Sequence, residues 1–259
     1  LVFHEPMNRL LKAYLVLLTL FVYLPIFSLT AFSFNAGGLT FPFKAFSLEW
    51  YVKLFQSPRL MEAVSRSLAL ALVTMVLTTF LSFMTAYVLR ERFRGKILLF
   101  YLFVLGIVIP GIAYGLGTAL FYQALGVKKS LWAALPVHVV WTLPFGIILM
   151  MAGFDPKIRA YEAAAKTLGG DDWSILREIL LPLLFPTLLG TALFAFTLSY
   201  NESERSIFLL GTDNTIPAEI LAQLSARATP ELYALGALST AVSVLSLGLV
   251  GWLVLRKKS

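Results

Sequence analysis

Six stretches of the chain are apolar over enough consecutive positions to cross a bilayer, which takes about 20 residues of helix. They run from 10 to 33, 65 to 89, 97 to 122, 131 to 153, 183 to 200 and 232 to 255, the fifth being the shortest. Polar and apolar positions do not alternate inside them, which excludes the roughly ten-residue strands of a membrane β-barrel. The pattern predicts an all-α, polytopic membrane protein with six transmembrane helices. Three of the intervening segments, 34 to 64, 154 to 182 and 201 to 231, are too long for simple turns, and long loops in compact proteins tend to carry function.

Within 154 to 182 the period changes. Ile158, Tyr161, Ala165 and Leu168 recur at helical spacing, with Glu162 and Lys166 placed as an i to i+4 pair. Gly169 and Gly170 stop this helix as a glycine C-cap would, and Asp171 or Asp172 is placed to cap a second short helix. In that helix Trp173, Leu176, Ile179 and Leu180 share one face, and Pro182 leads into the next span. The prediction is a helix, glycine turn, helix hairpin too short to span. By pattern alone it fits two uses. It is an amphipathic hairpin on the bilayer surface with its basic residues toward anionic lipid, or a rigid lever that fits a groove on a soluble partner.

Composition agrees with the membrane reading: of 259 residues, 59% are hydrophobic and 14% charged, and the mean hydropathy is +0.82. The formal net charge of +7 changes meaning in this setting. With the N-terminus cytoplasmic, thirteen of the 21 basic residues but only seven of the 14 acidic ones fall inside. The basic ones are Arg9, Lys12, Arg90, Arg92, Arg94, Lys96, Lys157, Arg159, Lys166, Arg177, Arg256, Lys257 and Lys258. That excess places both termini in the cytoplasm and argues against a nucleic-acid partner. The first apolar run exceeds the 7 to 15 residues of a signal-peptide core, and no small-residue cleavage site follows Phe32, so an uncleaved first span is expected. There is no cysteine, hence no disulfide framework or thiolate metal site.

Motifs for chemistry are missing. The one Gly-Lys pair, Gly95-Lys96, precedes Ile97 and lacks the upstream glycine of a phosphate-binding loop. No Gly-x-Ser-x-Gly elbow occurs, and His4 and His138 offer no metal-ligand spacing. The chain reads as a conduit and lever without catalytic residues or a cofactor of its own. His138, inside the fourth run, is either a structural histidine or part of a translocation path. Tyr114 lies in the third run, within a stretch whose Gly111, Gly115 and Gly117 permit close packing. Pro110, Pro136 and Pro144 are expected to kink their helices. The segment SYNESER, 199 to 205, is the most polar point adjoining a span. There Tyr200, Asn201, Glu202 and Glu204 form either a solvated loop mouth or an attractor for an amine cation. Trp50, Tyr51, Trp132 and Trp252 fall near span ends, where aromatic belts anchor.

Gly169, nine intervening residues, Ile179, one residue, Leu181 and Pro182 resemble the second half of the EAA motif of ATP-binding-cassette importer permeases. The resemblance implies the type I importer permease fold, with a coupling helix that docks in a cleft of a cytoplasmic ATPase. The coupling residues it implies are Glu162, Ala163, Ala164, Gly169, Gly170, Asp171, Ile179, Leu181 and Pro182. The first half departs from the pattern: the family's glutamate position holds Ala163, and Glu162 stands one residue earlier, about 100° around the helix. Further stretches, IPGIAYGLGTALFYQALGV (109 to 127), His138 with Leu143-Pro144-Phe145, GFDP (153 to 156), LSYNES (198 to 203) and 216 to 238, look like the spermidine and putrescine permeases, particularly the second of each pair. The implied assembly is a homologous permease, two ATPase subunits that bind ATP and magnesium, and a periplasmic binding protein, in a bacterial inner membrane. The implied organisation is one permease domain over 1 to 259, with an N-terminal span at about 10 to 33, a five-helix core at about 60 to 255 and a coupling loop at 155 to 181. An ion-coupled carrier and a membrane scaffold remain the alternatives.

Overall fold

A computed structural model describes residues 9 to 38, 40 to 226 and 229 to 256. His4, Lys257 and Lys258, and Arg227 and Ala228 within the stretch 216 to 238, lie outside the described residues. The helices are α1 (Arg9–Ser33), α2 (Glu49–Gln56), α3 (Pro58–Leu89), α4 (Lys96–Val108), α5 (Gly111–Ala124), α6 (Leu131–Gly153), α7 (Pro156–Thr167), α8 (Asp172–Ser174), α9 (Leu181–Tyr200), α10 (Ile216–Ala226) and α11 (Pro230–Arg256). A π-helical segment, Ile175–Leu180, joins α8 to α9.

Among the described residues five helices are long and apolar enough to cross a membrane, or six if α4 and α5 count as one broken span. The kink expected at Pro110 is a full break of the run 97 to 122, which bends by 99° at Ile109-Pro110. Pro110 has no N–H to donate and its ring drives the preceding residue out of the helical region, and Ile109 is extended at φ −69, ψ 125.

Chain contacts define two units, Leu1–Met61 with Ile220–Ala241, and Glu62–Glu219 with Val242–Ser259. In the first, Asn35 knots the loop after α1. Its amide donates to the carbonyls of Gly38 and Thr40 at 3.0 Å each, and its Oδ1 accepts from the N–H groups of Gly37 and Lys44. Trp50 Nε1 donates to the Asn35 carbonyl at 2.8 Å, and Tyr51 shares a 2.8 Å hydrogen bond with Ser33. These aromatics thus brace the loop rather than serving only as belt anchors.

The second unit holds the candidate site. Here α6 packs along α9, and α4 on α6. Gly146 faces Ser82 of α3 and Thr191 of α9, and Gly153 faces Thr187, each so closely that a Cβ would collide. Thr78 and Thr142 hydrogen-bond across α3 and α6 at 2.6 Å, both buried. Small residues at the crossings let the backbones approach, the usual source of helix association where apolar burial gives no advantage over lipid.

A methyl group at Gly146 meets Ser82 head-on. Gly146→Ala is expected to cost about 1–3 kcal/mol, the usual penalty for overpacking a filled core, read as a lower unfolding midpoint of the purified protein in detergent. Adding Ser82→Ala should recover part of that loss, and an unchanged midpoint for Gly146→Ala alone would contradict the close approach.

Candidate functional site

The helical hairpin forms as the local sequence dictates. Asp155 caps α7, accepting from the Lys157 N–H at 2.8 Å, and Pro156 takes the first helical position. At the other end Gly169 is left-handed at φ +88, the Gly170 N–H bonds to the Ala165 carbonyl, and the Gly169 N–H bonds to that of Lys166. That is the Schellman closure, which a glycine makes without Cβ strain. Asp171 is the cap of the second helix, its Oδ1 accepting from the Ser174 N–H at 3.3 Å.

Three expectations change. First, Glu162 does not pair with Lys166. Its carboxylate takes both guanidinium ends of Arg90, at 2.8 and 2.9 Å, while Lys166 bonds Asp172 at 3.1 Å. Second, the inward stripe of α7 is buried Ile158 with half-buried Glu162 and Ala165, whereas Tyr161 and Leu168 are exposed. Third, the second helix does not stop at Pro182: α8, the π segment and α9 form one continuous rod from Asp172 to Tyr200. A π turn advances about five residues per bond, so Ile175 and Leu180 are the buried pair, Leu176 and Ile179 are half-buried, and Trp173 is exposed.

Beneath the hairpin, Phe83 and Ala86 of α3, Met150 of α6, Ile158 of α7, Ile175 and Leu180 of the π segment and Leu184 of α9 make one buried cluster. It fastens the hairpin to three spans. The outer side is left open: a cavity of about 480 Å³ lies between the two arms, lined in part by Tyr161, Ala164, Leu168, Ile179, Pro182 and Leu183. Ala163 is exposed, and Leu181 sits at the start of α9.

The expected pathway residues separate into distinct settings. His138 is fully buried and its Nδ1 shares a 2.8 Å hydrogen bond with Ser199 Oγ, whereas its Nε2 has no hydrogen-bond partner among the described residues. Tyr200 is buried and stacks on Phe196 at 5.5 Å. Asn201 is exposed and donates to the Thr197 carbonyl and to Ser243 Oγ. Glu202, expected at a solvated mouth or as a free attractor, is buried and bonded to Arg205 at 2.9 Å. The Arg205 guanidinium lies 3.6 Å from the centroid of the Trp141 ring, and its backbone packs on Gly115. Sequence reasoning missed Arg205 and Trp141, which lie far apart along the chain. Gly111 and Gly115 pack against the Glu204-Arg205 loop rather than against a second helix, and Gly117 faces open space.

Among the described residues of the second unit, a hairpin projects from one end of helices that carry a few paired polar groups between them. This is the form of a membrane permease. The chain belongs to the family described as binding-protein-dependent transport system inner membrane components, which it matches over residues 78–259, and is thus a transport component rather than an enzyme. It is 32% identical over 244 residues to the spermidine/putrescine transport system permease protein PotC of Haemophilus influenzae, covering 92% of this chain and 93% of that one. It is 26% identical over 250 residues to the putrescine transport system permease protein PotI of Escherichia coli, covering 92% and 87%. Among solved structures it resembles a chain of a bacterial ABC transporter involved in the import of the acidic polysaccharide alginate. That match has a TM-score of 0.66 at 17% identity and covers 99% of each chain. Family membership sets aside the ion-coupled carrier and the scaffold.

Two charges of the hairpin are displaced from their ordinary values. The Ser174 hydrogen bond lowers Asp171, and the hydrogen bond and charge of Asp172 raise Lys166. A lowered carboxyl contributes stability above its unfolded value and loses it as the pH falls through the folded one. A raised ammonium contributes below its ordinary value and loses it as the pH rises through the raised one. Amide-exchange protection at Trp173 to Ile175 should therefore hold from about pH 4 to about pH 10 and weaken only below and above those limits, and Asp171→Ala should lose it at every pH.

Proposed function

We propose that this chain forms one half of the substrate pathway of an ATP-binding-cassette importer. The other half is a homologous permease. Two ATPase subunits sit beneath the pair and a periplasmic binding protein above it. The chain has no phosphate-binding loop in its sequence, so ATP and magnesium belong to the partner ATPases and this chain needs no cofactor. Both termini are cytoplasmic by the distribution of Lys and Arg, and the whole chain acts as a single permease domain.

The observation that carries this reading is the hairpin between Asp155 and Pro182. Its inner side is fastened to α3, α6 and α9, and its outer side presents apolar Tyr161 and Leu168 to the surroundings. Exposed large apolar groups on a rigid projection mark a protein contact. Closure of the ATPase dimer on ATP would move the hairpin as a body, and because α6 leads into it and α9 leads out, the movement would pass into both spans.

Gly169 supports this in a particular way. A Cβ there meets nothing within 4 Å, so a large side chain would project outward into the docking groove while the positive φ strains any residue except glycine and, mildly, asparagine. In the reconstituted transporter Gly169→Trp is expected to abolish substrate-stimulated ATP hydrolysis while the subunit stays in the membrane, and Gly169→Asn to retain most of it. Normal hydrolysis with Gly169→Trp would count against the coupling role.

For the substrate, the names of the relatives point to polyamines or similar small organic cations. Because Arg205 neutralises Glu202, Glu204 is the exposed carboxylate of the segment 199 to 205, lying beside Gly111 at the start of α5. Vesicles carrying the full assembly should accumulate labelled spermidine only with ATP, unlabelled putrescine should compete, and Glu204→Gln should slow initial uptake about tenfold, the lower end of what electrostatic steering by an exposed charge gives. Uptake without ATP would contradict the mechanism, and absence of competition the substrate class.

A further inference from the structure

Glu162 is the place where this sequence departs from the coupling motif, and its surroundings give it a different task. Placing the carboxylate one residue early turns it about 100° around α7, from the outward side where Ala163 is exposed to the inward side. There it meets Arg90, the first residue after α3, 72 positions earlier in the chain, with both carboxylate oxygens engaged at 2.8 and 2.9 Å. The two side chains are 12% and 14% exposed, whereas those of the Lys166–Asp172 pair are 62% and 88% exposed. Salt and water screen the second pair and leave the first largely intact.

The clamp has further parts. The Arg90 guanidinium lies 4.1 Å from the Tyr87 ring centroid and 5.2 Å from that of Phe154, so the aromatic residues of α3 and of the α6–α7 link hold it in one orientation. From the other direction Arg159 of α7 donates to the Arg90 carbonyl and lies 3.5 Å from Glu91. That carbonyl is among those a helix leaves without an internal partner at its C-terminus. Each element thus sends a guanidinium to the other.

We propose that the Arg90–Glu162 pair is an internal strut that makes α3 move with the coupling hairpin, and that Glu162 is a positioning residue serving this chain rather than a docking contact for the ATPase. The inference rests on the coupling role given above and adds a third span to it. Continuous chain already ties α6 and α9 to the hairpin, but α3 is joined to α4 and has no such tie. A planar fork on a carboxylate fixes direction as well as distance. Pulling it apart would leave the partly buried Glu162 carboxylate unpaired and Arg90 with only the exposed Glu91 at 3.5 Å, which is costlier than moving the elements together.

The test uses the complete transporter with its ATPases, partner permease and binding protein. Glu162→Gln and Arg90→Gln keep the side-chain shapes and are expected to retain the ATPase on copurification. They should lower the amount of substrate imported per ATP hydrolysed about tenfold, a common size for coupling between sites. Arg90→Lys, a point charge without the fork, should restore little, and exchanging the charges in Arg90→Glu/Glu162→Arg should restore part. Spin labels on Val88→Cys and Ala160→Cys report the movement directly, since the chain has no native cysteine. Their separation should stay constant on ATP binding in the parent and change in Glu162→Gln. Loss of the ATPase from Glu162→Gln would make the residue a docking contact and overturn the strut while leaving the coupling role intact. An unchanged import ratio, or a separation that changes in the parent, would overturn the strut as well. Failure of the coupling role itself would instead appear as normal hydrolysis with Gly169→Trp.

Discussion

Close approach of α6 to α3 and α9 is the constraint on which the second unit rests. It depends on Gly146 and Gly153, which present only backbone to Ser82, Thr191 and Thr187. In lipid, burying an apolar side chain between helices yields little, because hydrocarbon outside is as good a neighbour. Contact area and hydroxyl bonds such as Thr78 to Thr142 must supply the association. Once the three helices are fixed, their ends on one side form a platform, and Phe83, Met150 and Leu184 offer the apolar surface that Ile158, Ile175 and Leu180 complete.

That platform explains why a hairpin of modest hydrophobicity keeps a defined position. Its two caps, Asp155 and Asp171, and the Gly169 turn are local and would form wherever the segment lay. Its placement comes from the inward residues of both arms and from the exchange of guanidinium groups with the end of α3. Tyr161 and Leu168 stay outside because the inner side is already filled. The exposed apolar surface is thus a consequence of the packing.

At the other end, the loop after α9 is ordered by groups that a membrane interior would otherwise reject. Arg205 is paired to Glu202 and laid on Trp141, the Ser130 N–H bonds the Leu209 carbonyl, and the Leu131 N–H bonds Asp213. Gly115 is required because the Arg205 backbone occupies the space of a side chain. The buried charge is balanced within the segment itself, which leaves Glu204 to face outward.

By itself the sequence determined what depends on neighbours along the chain: the spans as long apolar runs, the caps and glycine turn of the hairpin, and the Gly169 to Pro182 spacing that resembles the importer permeases. It also held Pro110, whose missing N–H marks the break in the third run. Tertiary structure alone decided which side of α7 is buried, that the π segment places Ile175 and Leu180 together, that Glu162 answers Arg90, and that the local Glu202–Arg205 pair is buried against Trp141. Hydropathy cannot report these, because a charge is stabilised by whatever partner the fold brings within about 3 Å. For Glu162 that partner lies far away in sequence, and an apolar residue exposed to a partner protein looks the same along the chain as one buried in a core.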